Sequence, residues 1–164
     1  GIIYGITPFG LSERLTIPRS EAKELIDGYF YTFSGVKKYM DESIEKGREN
    51  GYVETIFGRK RYLPDITSRN ATVRGFAERN AINAPIQGSA ADIIKTAMVR
   101  IFERLNNKKS KMILQVHDEL NFNVVPEELD YMKRMVTEEM ENAAKLTVEL
   151  KTEIGVGENW LVAH

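Results

Sequence analysis

Apolar residues recur at helical spacing in four stretches of the chain. Between Pro18 and Phe33, Ala22, Leu25, Ile26, Tyr29 and Phe30 share a face, and Pro18 suits a first helical turn. A second helix is expected from about Gly35 to Asn50, with Val36, Tyr39, Met40 and Ile44 as its stripe and Gly51 as its stop. A third covers about Thr72 to Ala84 and is expected to be interrupted at Pro85, which lacks an N–H and clashes with the preceding turn. A fourth, from about Ser89 to Leu105, rests on Ile93, Ile94, Ala97, Met98, Ile101, Phe102 and Leu105. Tyr52 to Leu63 reads as an extended pair, with Phe57-Gly58-Arg59-Lys60 near its turn and Pro64 after it.

The period then changes. Met112 to Val116 is a short apolar strand. Leu120, Phe122 and Val124 alternate with Asn121, Asn123 and Val125, which marks a second, half-buried strand. The simplest arrangement is a β-hairpin over 112–125 with His117, Asp118 and Glu119 at its tip. Pro126 opens a helix to about Ala144, and Val148 to Ile154 reads as a final strand before Gly155-Val156-Gly157 and Trp160. Helices and strands are mixed rather than alternating. The expected class is therefore α+β, a small antiparallel sheet carrying the hairpin and packed against several long helices.

Composition narrows the chemistry. The chain has 164 residues, 42% hydrophobic and 29% charged, with a net charge of -1, an ordinary globular balance. No stretch approaches the roughly 20 apolar residues of a membrane helix, and the first ten residues, GIIYGITPFG, carry no basic region of the kind that opens a signal peptide. With no cysteine, a thiol nucleophile, a disulfide scaffold and a Cys-ligated metal are excluded. Only two histidines are present, one of them the last residue, which disfavours a multi-His metal centre. The chain opens on Gly1 rather than Met, so it reads as a cut from a longer protein.

Three groups of residues suggest function. Asp118 and Glu119 at a tight bend would be held rigidly by the strands, as a carboxylate awaiting a hard cation should be. Adjacent strand residues point to opposite faces, so one ion would need a further carboxylate from elsewhere. The same triplet also reads as an ordinary polar hairpin tip. Arg79, Asn83 and Gln87 are spaced by four and offer donors. The DNA minor groove presents acceptors at every base pair, so such a row can sense geometry without reading sequence. A solvated helix face has the same spacing. Finally, Arg59, Lys60, Arg61, Arg69, Arg74 and Arg79 face only Asp65 and Glu78 between Phe57 and Asn80. Phosphate binding needs such a cluster, and an exposed hairpin and helix would also show it.

Together these pieces resemble the C-terminal part of the bacterial family A DNA polymerases, the polymerase I type. GIIYG resembles the end of the fingers motif, and GYVETIFGRKRYLPDI the family's Gly-Tyr-Val-Glu-Thr…Gly-Arg-x-Arg hairpin. ERNAINAPIQGSAADIIKTAM resembles the long palm helix, LQVHDEL the catalytic hairpin of the palm, and GENWLVAH the C-terminal tail. The likeness covers essentially the whole chain. It implies a fingers-derived part over 1–50 and a palm-derived part over 51–164.

The resemblance further implies DNA-templated addition of deoxynucleotides to a primer 3′ end, in replication and repair, by a magnesium-dependent enzyme using two ions. It places Asp118 as a metal-binding catalytic aspartate, Glu119 as its acidic neighbour and His117 beside the primer terminus. It places Arg79, Asn83 and Gln87 at the primer–template minor groove, and Arg59 and Arg61 near the template and duplex backbone. Tyr4 falls near the templating base, with Gly5 its neighbour. The expected partners are primer–template DNA and deoxynucleoside triphosphates, with no membrane, in a bacterial cytoplasm near the nucleoid. The first catalytic aspartate and the triphosphate clamp of the fingers would lie upstream of Gly1. The 164-residue piece is then expected to be inactive alone and to self-associate through an exposed sheet edge. The alternative is a minor-groove binding module without catalysis. A third reading, a basic face for RNA or protein, predicts no preference for a recessed primer end.

Overall fold

The computed structural model describes residues 2–163, so Gly1 and His164, the outermost residues of GIIYG and GENWLVAH, lie outside the described residues. The chain forms two compact units, divided after Ser89. The α+β expectation holds, with two separate two-stranded antiparallel sheets in place of one small sheet.

The first unit begins with a 3-10 turn, Ile2–Tyr4, and a helix α1 (Pro8–Leu15) that the apolar spacing does not announce. Its signal is the Thr7-Pro8 pair. Thr7 accepts the Gly10 N–H on its hydroxyl at 3.1 Å, and Pro8 occupies the first helical position, where a missing N–H costs nothing. Helices α2 (Arg19–Thr32) and α3 (Ser34–Asn50) follow. Gly51 ends α3 in the left-handed region at φ 74°, donating to the Gly47 carbonyl at 2.9 Å.

Strands β1 (Tyr52–Glu54) and β2 (Lys60–Tyr62) then pair with Tyr52 opposite Tyr62 and Glu54 opposite Lys60. Val53, Leu63 and Ile66 pack on Ala77 and Ala81 of α4 (Ala71–Arg104). The small residues let the elements close. A Cβ on Gly47 would lie 3.2 Å from Leu63 Cδ1 and 3.5 Å from the Ala81 Cβ.

Helix α4 corrects the expected break at Pro85: one helix runs through it. An interior proline costs about 3 kcal/mol because it removes the hydrogen bond to the carbonyl four residues back, here that of Ala81, and crowds that carbonyl. The same turn is also held from outside the helix. The Tyr39 hydroxyl of α3 donates to the carbonyl of Ile82, three residues before Pro85, at 2.9 Å. Burial raises the Tyr39 phenol above its usual range, which keeps it a donor. Asn70 supplies the start of α4, its side-chain oxygen accepting the Thr72 N–H at 3.0 Å.

In the second unit, β3 (Lys111–Val116) and β4 (Glu119–Asn123) form the hairpin, with Val116 opposite Glu119 and an irregularity between Met112 and Leu114. Glu119 is therefore not at the tip but in the ladder. The loop holds two residues, His117 and Asp118, because His117 takes φ 54° and closes a tight turn. Leu120, Phe122 and Val124 pack with Ala97, Ile101, Met132 and Met135. The helix expected from Pro126 starts as a 3-10 turn, Pro126–Glu128, and continues as α5 (Leu129–Glu141).

The strand expected over Val148 to Ile154 does not form. A strand needs a ladder partner, and the Thr152 N–H instead donates to the Glu141 carboxylate at 3.0 Å. A four-residue helix, α6 (Trp160–Ala163), closes the described chain. The open end of the hairpin is tied by Ser110, which is 2% exposed and accepts the Val125 N–H at 3.2 Å. Glu128 accepts the Ser110 N–H at 2.9 Å and the Lys109 N–H at 3.2 Å.

Two outcomes are expected. Tyr39→Phe lowers stability by about 1 kcal/mol, read by urea denaturation. Hydrogen bonding from Ser110 holds the Glu128 carboxyl below its usual range. A depressed acid stabilises the fold above its unfolded pKa, and that contribution fades as pH falls through and below the ordinary glutamate range. Glu128→Gln should flatten the acid limb of a stability–pH profile.

Candidate nucleic-acid interface and hairpin turn

The first unit gathers polar groups along one side of α4. A cavity of about 340 Å³ is lined by Arg59 and Arg61 from the β1–β2 hairpin and by Asn80, Asn83 and Gln87 from the helix. Residues 83 and 87 line one cavity because α4 stays helical through Pro85. The Asn83 side-chain oxygen is buried with no hydrogen-bond partner, a polar atom at a polar wall. Asn80 was not singled out by the sequence, although it sits one turn before Ala84 on a helix already marked by donors. Glu54 and Thr55 complete the wall on the strand side.

Arg79 does not line this cavity. It lies against the N-terminal turn instead: Gly5 has φ 77°, and a Cβ there would sit 3.4 Å from Arg79 Cγ. Gly5 is thus beside Arg79, a juxtaposition that a separation of 74 positions hides from the sequence. The Arg79 guanidinium also stands 6.0 Å from the centre of the Phe76 ring.

Much of the basic run is engaged within the chain. Arg74 donates to the Ser68 carbonyl at 2.8 Å. Glu78 is paired with Arg48 at 2.5 Å. Lys60 sits 4.1 Å above the Tyr52 ring, and its ammonium is raised first by hydrogen bonding to Tyr52. The Arg59 guanidinium donates to the Gly88 carbonyl at 3.1 Å while its side chain stays exposed.

In the second unit, His117 and Asp118 are both exposed at the turn. A non-glycine residue at positive φ is held by its surroundings at a cost of about 1–3 kcal/mol. The Gln115 side chain provides such a hold by donating to the His117 carbonyl. Glu119, one residue into β4, accepts the indole N–H of Trp160 at 2.7 Å. The two acidic residues therefore sit in different environments. Asp118 projects from the turn, and Glu119 is tethered to α6. Among the described residues no three His, Cys, Asp or Glu side chains gather as a metal site. No described helix is long and apolar enough to cross a membrane.

Comparison with known proteins settles the ancestry. The description "DNA polymerase family A" matches residues 1–162. The chain belongs to this family. It is 52% identical to DNA polymerase I of Streptococcus pneumoniae serotype 4 over 99% of its length, and 49% identical to DNA polymerase I of Bacillus subtilis strain 168 over 98%. It spans only 19% and 18% of those relatives. Among solved structures it is similar to the POL domain of Pol1 from M. smegmatis in complex with DNA primer–template and dNTP. That match has a TM-score of 0.96 and 44% identity, and covers 99% of this chain and 29% of that one.

Trp160 is the single tryptophan and so reports its own tether. Glu119→Ala should make its fluorescence more accessible to acrylamide quenching, while Glu119→Gln, which keeps an acceptor oxygen, should leave quenching near the wild-type level.

Proposed function

We propose that this chain is part of an enzyme that performs DNA-templated DNA synthesis, extending a primer 3′ end with deoxynucleoside triphosphates. The observation that supports this most is the convergence of Arg59, Arg61, Asn83 and Gln87 on one cavity, in a chain of DNA polymerase family A. Arginines satisfy phosphate oxygens and hold a duplex in place without reading its sequence. Asparagine and glutamine amides beside them suit the minor-groove acceptors that every correctly paired step presents. Arg79, on the same helix, adds a donor next to Gly5, whose neighbour Tyr4 is assigned to the vicinity of the templating base.

Asp118 is the metal-binding carboxylate in this proposal. It suits magnesium as one hard oxygen ligand, since that ion commonly takes one or two protein carboxylates and keeps its waters. A second carboxylate would come from outside this chain. When bound, the metal would stabilise charge on the attacking and departing oxygens. The turn itself contributes rigidity: the strained His117 backbone fixes where Asp118 projects. His117 lies beside the primer end, and Glu119, held by Trp160, assists from the strand. The partners are primer–template DNA and deoxynucleotides, and the setting is the bacterial cytoplasm at the nucleoid. Self-association of the isolated chain would use β3, which pairs only with β4 among the described residues and exposes Ile113 and Leu114.

A non-catalytic minor-groove binder is the second reading, favoured for the isolated chain by the single carboxylate at the turn. Asp118→Asn, placed in a full-length polymerase carrying this segment, separates the two. Synthesis should fall by at least about 1,000-fold, on the order of 4 kcal/mol in the barrier, with duplex affinity changed less than twofold. Retained synthesis rejects the metal role. The isolated 164-residue chain should extend no primer in the same assay.

A further inference from the structure

The loop between β1 and β2, residues 55–59, is seated on α4 by an unusually close contact. The Ile56 N–H donates to the Ser89 hydroxyl oxygen at 2.9 Å, and that hydroxyl donates in turn to the Pro85 carbonyl at 2.5 Å. Arg59 reaches the neighbouring Gly88 carbonyl at 3.1 Å. Thr55 shapes the loop from within, its hydroxyl accepting the Phe57 N–H at 3.3 Å and the Arg59 N–H at 3.2 Å. Its methyl lies so close to the helix that a Cβ on Gly88 would sit 2.6 Å from Thr55 Cγ2.

Glycine in a helix interior is disfavoured relative to alanine. Gly88 is not among the positive-φ residues, so its backbone does not require glycine. What does require it is the approach of the loop. Ser89, 8% exposed, is likewise explained by its two bonds rather than by apolar packing. We infer that Gly88 and Ser89 form a seat that fixes the height of the β1–β2 loop on α4 and thereby positions Arg59 and Arg61 relative to Asn83 and Gln87. They are positioning residues: they act through the loop and not by touching DNA. The inference deepens the DNA-binding reading and rests on it.

The test uses fluorescence anisotropy of labelled DNA with this chain, on a recessed primer–template and a blunt duplex across a salt series. Gly88→Ala should wedge the loop upward, weaken recessed-end binding about tenfold and reduce the salt slope by about one phosphate contact. Adding Thr55→Ser removes the obstructing methyl and keeps the hydroxyl, so the double variant should return to within about twofold of wild type. A joint that served stability alone would lower the melting temperature without altering the recessed-to-blunt ratio or the slope. Wild-type affinity and slope in Gly88→Ala overturn the inference, as does a double variant no better than the single. If the wild-type chain binds neither DNA, the reading of the isolated chain as a DNA-binding module fails. The seat is then judged by hydrogen exchange at the Ile56 amide. That amide should be protected in the wild type, fast in Ser89→Ala and Gly88→Ala, and slow again in the Gly88→Ala/Thr55→Ser pair. Fast exchange in the wild type removes the seat as well.

Discussion

The passage of α4 through Pro85 is the constraint on which the polar face depends. Had the helix stopped there, Asn83 and Gln87 would belong to different elements, and Gly88 and Ser89 would have no fixed surface to offer the β1–β2 loop. A proline in mid-helix removes one hydrogen bond and crowds another. In the same turn a phenol from a neighbouring helix, the Tyr39 hydroxyl, donates to the Ile82 carbonyl. Just beyond the defect, Ser89 places its hydroxyl on the Pro85 carbonyl. The disturbed turn and the polar cavity thus lie on the same stretch of one helix.

Small residues set the distances. Gly47 and Ala81 let α3, α4 and Leu63 close on one another, and Gly88 does the same for Thr55. Neither glycine is needed for an unusual backbone angle; each is needed for the absence of a side chain. Interiors pack densely enough that one methyl group in such a place forces a shift of backbone or neighbour. A shift of the loop moves the arginines on it.

The hairpin of the second unit uses a different device. Its turn is shortened to two residues by a left-handed His117, and the strain is borne where the exposed Asp118 must point in one direction. Strain of this kind persists only where surrounding structure over-determines it, here through the β3–β4 ladder and the Gln115 side chain. Moving Glu119 from tip to ladder separates two adjacent carboxylates. One projects from the turn, and the other is tied by an indole.

The sequence by itself determined the class of each segment where its own periodicity was strong: α2, α3, the two hairpins and α5 all follow from local spacing and turn residues. It also determined the family, through five ordered motifs. What it left open were decisions made by groups distant in the chain. Pro85 breaks an isolated helix, yet here the helix runs on, its turn held by Tyr39, 43 positions away from the carbonyl it meets. Val148 to Ile154 has a strand's composition but no ladder to join, and strand propensity without a partner forms no strand. The length of the hairpin loop turned on one backbone angle. The neighbours of Arg79, Gly88 and Glu119 came from 74, 33 and 41 residues away. Local preference is a matter of a few bonded neighbours and can be read along the chain. Side-chain geometry at a site is a matter of packing between segments, and is decided only when they close.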